Sequence, residues 1–369
     1  MTKGFTTGSC AAAASKAAAY MLLSGNIKNN IEIDTPAGIK YCPLIEEIHI
    51  GENEVSCAVR KESGDDPDIT KGALVFSKVS FGKKDCAEQR VFIDGGKGVG
   101  RVTRPGLDQP IGNAAINSVP RQMIEAEVRQ IMDIFDYQGE LRVEISVPDG
   151  EELAKKTFNP KLGIEGGISI IGTTGIVEPM STKALLDTIK VELRQMREMG
   201  QNVVVVSPGN YGLDFMKESY NYDLDKAVKC SNYIGDTIDM AKELGFRKML
   251  LCGHVGKLIK ISGGIMNTHS READCRMELM AAAAIKSGAS NDTLMDILNC
   301  VSTEEAIQVL RSEKIEEKCF ESIMEKIDYY LNKRGGEELE IQCMVYSNKF
   351  GLLGQTESAE EFLKEAKGI

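Results

Sequence analysis

The sequence predicts two domains of different class, α+β over residues 1–164 and α/β over residues 165–369. Three observations predict it. A chain of 369 residues exceeds what one typical core organises. Short β-rich runs punctuated by Gly, Asp and Pro fill the first part. From about residue 165 the rhythm becomes strand, loop, helix, repeated, which implies a mainly parallel sheet of about four strands with right-handed crossovers.

Taken in order, Ser9 is placed to cap a helix over Cys10–Leu23, and Gly25 to end it in a left-handed conformation. Strands are expected at Ile31–Asp34, Glu54–Arg60, Leu74–Phe81 and Arg90–Ile93. Pro120 suits a first helical turn, and Met123, Ile124, Val128, Ile131, Met132 and Phe135 share one face of a helix running to about Tyr137. Leu141–Val147 closes this half as a strand. In the second half, Ile168–Ile171 is expected to lead through residues 172–179 into a helix at about 182–199. Val203–Val206 reads as a strand covered on both faces. A short strand near Val228, a helix over Ile234–Leu244 and a strand at Met249–Cys252 follow, then mainly helix with a late strand at Leu339–Tyr346. The loops 172–175, 209–212 and 253–256 are expected to open on one sheet edge, where α/β sheets bind their ligands.

Composition narrows the function classes. With 42% hydrophobic and 27% charged residues the chain can offset its ordering entropy, so disorder is excluded as the main state. The net charge of −11 argues against nucleic acid as a principal partner. Residues 291–369 carry 17 acidic and 9 basic side chains, which leaves the glycine-rich body nearly neutral. Ten cysteines include no C-x-x-C pair, so the expectation is reduced core thiols and no metal site. No long apolar leader precedes the first glycines, and the alanine run at 11–19 is small-residue helix material. A soluble, cytoplasmic protein without a membrane partner is expected.

Several loops carry residues suited to chemistry. Gly95 to Gly100 is glycine-rich, and Lys97, Arg101, Arg104 and Arg121 surround it, opposed over 95–121 only by Asp108. A sharp turn accounts for the glycines, while the cations suit a ligand rich in carboxylate or phosphate. Gly172-Thr173-Thr174-Gly175 and Gly209-Asn210 follow expected strands, where main-chain N–H groups face a ligand. The first is not a phosphate loop, since no G-K-[ST] follows, and a standard dinucleotide fingerprint is absent. His254 and Lys257 lie in the third loop and His269 a little beyond, with too few neighbouring ligands for zinc. His254 is the first choice for moving a proton near neutral pH, although a loop histidine is somewhat more often a satisfied hydrogen-bonding residue than a catalyst. Asp65-Asp66-Pro67-Asp68 reads as turn chemistry or, through Asp66, as a catalytic or amine-anchoring carboxylate.

The opening Gly4-Phe5-Thr6-Thr7-Gly8-Ser9-Cys10-Ala11-Ala12-Ala13-Ala14 strongly resembles that of the CbiD family, the cobalt-precorrin-5B C1-methyltransferases of anaerobic cobalamin synthesis. Gly64-Asp65-Asp66-Pro67-Asp68, the blocks from Gly98 to Leu107 and from Ala114 to Arg121, Thr157-Phe158-Asn159-Pro160, Gly166 to Pro179, Gly209-Asn210-Tyr211-Gly212 and Gly253 to His269 match as well. The resemblance covers the chain from residue 4 to the end, and these blocks are far more specific than a single glycine motif.

The resemblance implies methyl transfer from S-adenosyl-L-methionine to C-1 of cobalt-precorrin-5B, giving cobalt-precorrin-6A in cobalamin (vitamin B12) biosynthesis, with cobalt present only as part of the substrate. It implies a permuted ribosomal S5 domain 2-like first domain, which binds substrate, joined to the α/β domain. The substrate's acetate and propionate arms give Lys97, Arg101, Arg104, Arg121, Lys257 and His269 a partner, while residues 172–175, Gly209 and Asn210 are assigned to the methyl donor. Homo-oligomers and transient contacts with neighbouring pathway enzymes are compatible with the sequence. Two alternatives stay open: a non-catalytic carrier of the corrinoid precursor and a small-molecule phosphotransferase.

Overall fold

The computed structural model describes residues 4–66, 68–83, 90–177, 182–223 and 226–368, with the backbone alone at 210–213. It divides into two compact units, Met1–Ser181 and Thr182–Ile369.

The first unit starts with β1 (Gly4–Phe5) and α1 (Thr7–Ser24), followed by β2 (Ile33–Asp34), β3 (Lys40–Tyr41), β4 (Glu46–Ile50), β5 (Glu54–Arg60) and β6 (Leu74–Phe81). Next come β7 (Val91–Gly95), β8 (Gly98–Val99), β9 (Arg101–Val102), α2 (Ser118–Ile134), β10 (Leu141–Ser146) and α3 (Gly150–Ala154). It ends with β11 (Ile164–Glu165), β12 (Gly167–Ile168) and β13 (Ile176–Val177). Its main sheet has the order β4-β5-β6-β10-β7, antiparallel except for the parallel pair β10–β7. On this sheet Val75, Ser77 and Val79 alternate with Phe76, Lys78 and Ser80, so one face is buried and the other meets solvent.

The buried face is filled by α1 and α2. Eight apolar α1 residues, Cys10 to Ala14 and Ala17 to Ala19, are fully buried with Ser9 and Ser15, and their small side chains let the helix lie close to both neighbours. At its start, a Cβ on Gly8 would stand 2.8 Å from Pro120 of α2. The cap is Thr6 rather than Ser9: the Thr6 hydroxyl accepts the Ser9 N–H at 3.3 Å, and Ser9 turns its own hydroxyl to the Gly175 carbonyl at 2.6 Å. Gly25 ends the helix in the left-handed region, as its position suggests. Gly98 also has positive φ, and a Cβ there would stand 1.8 Å from the Val147 carbonyl, so the turn after β7 admits glycine alone.

The second unit starts with α4 (Thr182–Glu198), β14 (Val203–Ser207), α5 (Asn210–Tyr220), β15 (Ala227–Lys229), α6 (Ile234–Glu243), β16 (Lys248–His254) and α7 (Val255–Leu258). A 3-10 turn at Ile259–Gly263 follows, then α8 (Arg276–Lys286), α9 (Asn291–Asn299), α10 (Thr303–Ser312) and α11 (Glu316–Gly335). It closes with β17 (Glu340–Ser347), β18 (Gly351–Gln355) and α12 (Ala359–Lys367). The sheet order is β15-β14-β16-β17-β18, parallel for its first four strands and antiparallel at β18.

Two expectations about this sheet are corrected. It has five strands rather than about four, because a hairpin returns at β18, whose two glycines hide it from strand patterning. Residues 168–171 are not part of it. Ile168 pairs with Val99 of β8, Ile170 bridges Ile116, and β13 pairs with β1, so this segment closes the first unit.

The packing of α1 leaves no room for growth. Ala13→Leu is expected to destabilise the first unit by about 1–3 kcal/mol or more, read as a lowered denaturant midpoint with unchanged slope.

Candidate active site

In chain order the four parallel strands of the second unit are arranged 2-1-3-4. The helix after β14, α5, packs with α12 on one face, while α6 packs on the other. The crossovers therefore part between β14 and β16, the topological switch point at whose carboxyl edge such sheets form a crevice. Gly209, Asn210, His254 and Lys257 all fall on this edge. The sheet ends there in Ser207-Pro208-Gly209 entering α5 and in His254 entering α7. Lys257 bridges the two ends, its ammonium donating to the Pro208 carbonyl at 2.9 Å. Burial pushes that ammonium below its ordinary range. Gly209 has extended backbone and open space where a Cβ would stand, so the fold itself does not require glycine there.

His254 uses both ring nitrogens. Nδ1 accepts the Gly256 N–H at 3.1 Å and thereby caps α7, which leaves the proton on Nε2, 2.9 Å from Glu304 Oε1. Thr303 Oγ1 donates to the other Glu304 oxygen at 3.0 Å. The Tyr346 ring meets His254 edge-on at 5.6 Å and stacks on Phe215 at 4.4 Å, its buried hydroxyl lacking a partner among the described residues. His269 stands apart in an exposed loop, its Nδ1 accepting the Arg271 N–H at 3.0 Å. That loop is joined to the segment after β15 by the Thr268 N–H to the Asn232 carbonyl at 3.0 Å.

The loop 172–175 belongs to the first unit, where it receives the start of α1. Thr7 Oγ1 accepts the Ile171 N–H at 3.0 Å, and the Thr6 N–H donates to the Gly175 carbonyl at 3.1 Å. A Cβ on Gly172 would stand 2.1 Å from Thr6 Oγ1, and one on Gly175, at φ +80°, 2.7 Å from Thr35. The expectation that 172–175 follows a strand of the sheet that precedes 209–212 and 253–256 is thus corrected, because its preceding segment is consumed by pairing in the first unit. The side-chain hydroxyl of Thr174 donates to the Ile176 carbonyl at 3.2 Å, and Thr173 lies between the two crowded glycines.

The cations of 97–121 separate. Edge strand β7 has carbonyls that no strand takes up: Arg121 donates to Ile93 at 2.9 Å and Arg101 to Gly95 at 2.9 Å. Arg121 also donates to Ile116 at 2.8 Å and Ala114 at 3.4 Å, while Arg101 grips Asp94 with both terminal nitrogens at 2.7 and 3.0 Å. Burial pulls the Asp94 carboxyl up, but the Arg101 fork, the Gly95 N–H and the Arg121 charge outweigh it and hold it below the usual range. Both arginines line a recess of about 580 Å³ on the open sheet face. Lys97 and Arg104 do not line it; Arg104 donates to the Lys161 carbonyl at 3.1 Å, and Lys97 is exposed in the turn before β8.

Comparison with known proteins gives the family. The CbiD family model matches residues 1–179, and the model of the CbiD C-terminal domain matches 267–357. The cobalt-precorrin-5B C(1)-methyltransferase of Ruminiclostridium cellulolyticum is 47% identical over 345 residues, 94% of this chain and 88% of that one. That of Alkaliphilus metalliredigens is 42% identical over 364 residues, 99% of this chain and 94% of the relative. The chain belongs to the CbiD family. A solved structure of a cobalamin biosynthesis protein (cbiD) from Archaeoglobus fulgidus is 29% identical, covering 73% of this chain and 83% of that one. Its TM-score of 0.38 is too low to argue fold from.

In this CbiD chain the acidic turn also holds a carboxylate with a buried partner. Asp66 donates its N–H to the Ser63 carbonyl at 3.2 Å, and Pro67 lies outside the described residues. Asp68, two residues on, pairs with Lys61, which is only 2% exposed and also donates to Ser63 Oγ at 2.7 Å. Burial raises the Asp68 carboxyl, but Lys61 and the Thr70 N–H and hydroxyl outweigh it, so it sits below its ordinary range. Burial likewise pushes the Cys10 thiol up to about 11, which makes it a packing residue; Cys86 lies outside the described residues. Among the described residues no three His, Cys, Asp or Glu side chains are grouped to hold a metal ion.

Sequence reasoning missed Glu304, Lys78 and Arg142. Glu304 lies in Ser302-Thr303-Glu304-Glu305, a capping box whose signal points to Glu305 and conceals its neighbour. Strand alternation could have found the other two, since residues 78, 92, 94, 142 and 144 share a face.

Asp68→Asn is expected to strand the buried Lys61 and cost roughly 3 kcal/mol. The native carboxyl is depressed, so its stabilisation is full above the unfolded value and is lost as pH falls through the folded one. Below about pH 4 the wild type should therefore lose stability more steeply than Asp68→Asn, while Asp66→Asn follows the wild type; denaturant titration across that range measures both.

Proposed function

We propose that the chain methylates C-1 of cobalt-precorrin-5B, with S-adenosylmethionine as donor and cobalt entering as part of the substrate. The observation that carries this reading is identity of 42–47% over nearly the whole chain to relatives bearing that activity in their names. We also read the first unit, with its mixed sheet and helices on one face, as the permuted S5-type module that the resemblance implies. No helix among the described residues is long and apolar enough to cross a membrane.

We place the donor at the switch point of the second unit, around Gly209 and Asn210. The open space at Gly209, the amino end of α5 and the half-buried Lys257 ammonium suit an amino acid carboxylate beside a bulky group. When bound there, S-adenosylmethionine supplies a methyl group on a sulfonium that any well-placed carbon nucleophile can accept. The chain's own contribution is then chiefly positioning and exclusion of water, a source worth up to about 7–11 kcal/mol. His254 adjusts the protonation of the macrocycle. Glu304 fixes its tautomer and stabilises the imidazolium that forms when Nδ1 releases the Gly256 N–H and takes up a proton.

Incubation of the purified chain with cobalt-precorrin-5B and S-adenosylmethionine should give the singly methylated product and S-adenosylhomocysteine in equal amounts by mass spectrometry. Tight binding of the precursor with no methyl transfer would establish a carrier instead. Asparagine can replace histidine as the cap of α7 but cannot exchange a proton near pH 7. His254→Asn should therefore bind both ligands while single-turnover rate falls about 10²- to 10⁴-fold; full activity would leave His254 as a cap alone. Gly209→Val should weaken donor binding in calorimetry with the melting temperature retained, whereas Gly175→Val, strained and crowded, should lower the melting temperature.

A further inference from the structure

We propose that the recess on the open face of the first unit's sheet holds carboxylate arms of the tetrapyrrole, with Lys78 and Arg142 as binding residues supplied by the sheet itself. The ligand's identity rests on the methyltransferase reading; the site rests on the recess.

The register places two rows of outward side chains across the floor. Ser80, Arg142 and Phe92 form one row, and Lys78, Glu144 and Asp94 the next. α1 and α2 cover the opposite face, so these residues are not needed to build the core. At the wall, Arg121 is half-buried and satisfied by main-chain carbonyls, and among the described residues no carboxylate lies within ion-pair distance of it. Asp94 is already committed to the Arg101 fork. Asp94 and Asp108 act on this guanidinium only through space, so its N–H groups hold no carboxylate directly, and carbonyl partners leave its charge intact to attract an anion.

The neighbouring cations can be recruited at small cost. Lys78 reaches Glu144 at 3.3 Å in a pair that solvent screens on both sides, so a ligand carboxylate can replace that partner. Arg142 uses Nε on the buried Glu140 at 2.7 Å, and its terminal nitrogens make no hydrogen bond among the described residues. Phe92, 43% exposed, offers a flat apolar surface between the charges. A volume of about 580 Å³ lies within the range of small-molecule sites and takes an edge of a macrocycle with its arms.

The test uses two probes on one corrin ring: cobyrinic acid, with free carboxylates, and its fully methyl-esterified form, whose arms are uncharged. Titrated by visible absorbance, the wild-type chain should bind the acid at least about tenfold more tightly than the ester. Lys78→Met should weaken binding of the acid about tenfold, and Lys78→Glu further, with ester binding unchanged. Arg142→Lys, which keeps a cation beside Glu140 but loses the fork, should also weaken the acid. Lys40→Met, at a remote surface pair, should match the wild type. Equal binding of acid and ester, or wild-type affinity in a folded Lys78→Glu variant, would overturn the recess while leaving methyl transfer intact. Failure of the wild type to methylate cobalt-precorrin-5B, with the acid still bound selectively, would overturn the function and leave the recess standing.

Discussion

The first unit depends on a helix whose buried stretch is made of small side chains. Over residues 8–15 and 17–19, Gly, Ser, Cys and Ala let α1 lie close to α2 and the sheet, while Lys16, Tyr20, Leu22 and Leu23 are only half-buried. Small residues contribute little apolar area each, so the helix gains its hold from close approach and from its ends. At the start, Thr6, Thr7 and Ser9 trade hydrogen bonds with residues 171–175, and Gly8 admits Pro120. The glycines of 172–175 are the other half of this joint. That loop was legible as special; its partner was not, because a ligand and a helix end ask the same of a glycine-rich turn.

The second unit depends on topology instead. Its parallel strands are apolar on both faces, as the four-valine run of β14 shows, and its helices divide between those faces. The crevice follows from that division. Lys257 then ties the start of α7 to the segment after β14, and the His254–Glu304 pair ties the end of β16 to α10.

Regular elements were largely readable, because periodicity reports burial directly. β5 and β6 follow the sequence reading residue for residue, and the apolar stripe of α2 from Met123 to Met132 is buried as its spacing requires. What failed were assignments of partnership. The segment 168–171 has the composition of a sheet strand, yet it pairs with β8 and bridges Ile116. Arg101 and Arg121 were readable as a basic cluster, but their bonds to the free carbonyls of β7 needed the identity of the edge strand, which no local pattern carries. Lys61, buried beside Asp68, was invisible for a similar reason: one lysine at a strand end reads as surface.

The pairing of β1 with β13 sets an order of events during synthesis. Gly4 and Phe5 cannot take their places until Ile176 and Val177 exist. At translation speeds of about 5–20 residues per second, α1 waits roughly 10–35 s in the open before its socket is finished. A leucine-rich helix left exposed for that long would be an aggregation hazard. One with seven alanines among its 18 residues offers neighbouring chains less to bind, and it holds helical structure on propensity while the rest of its unit arrives.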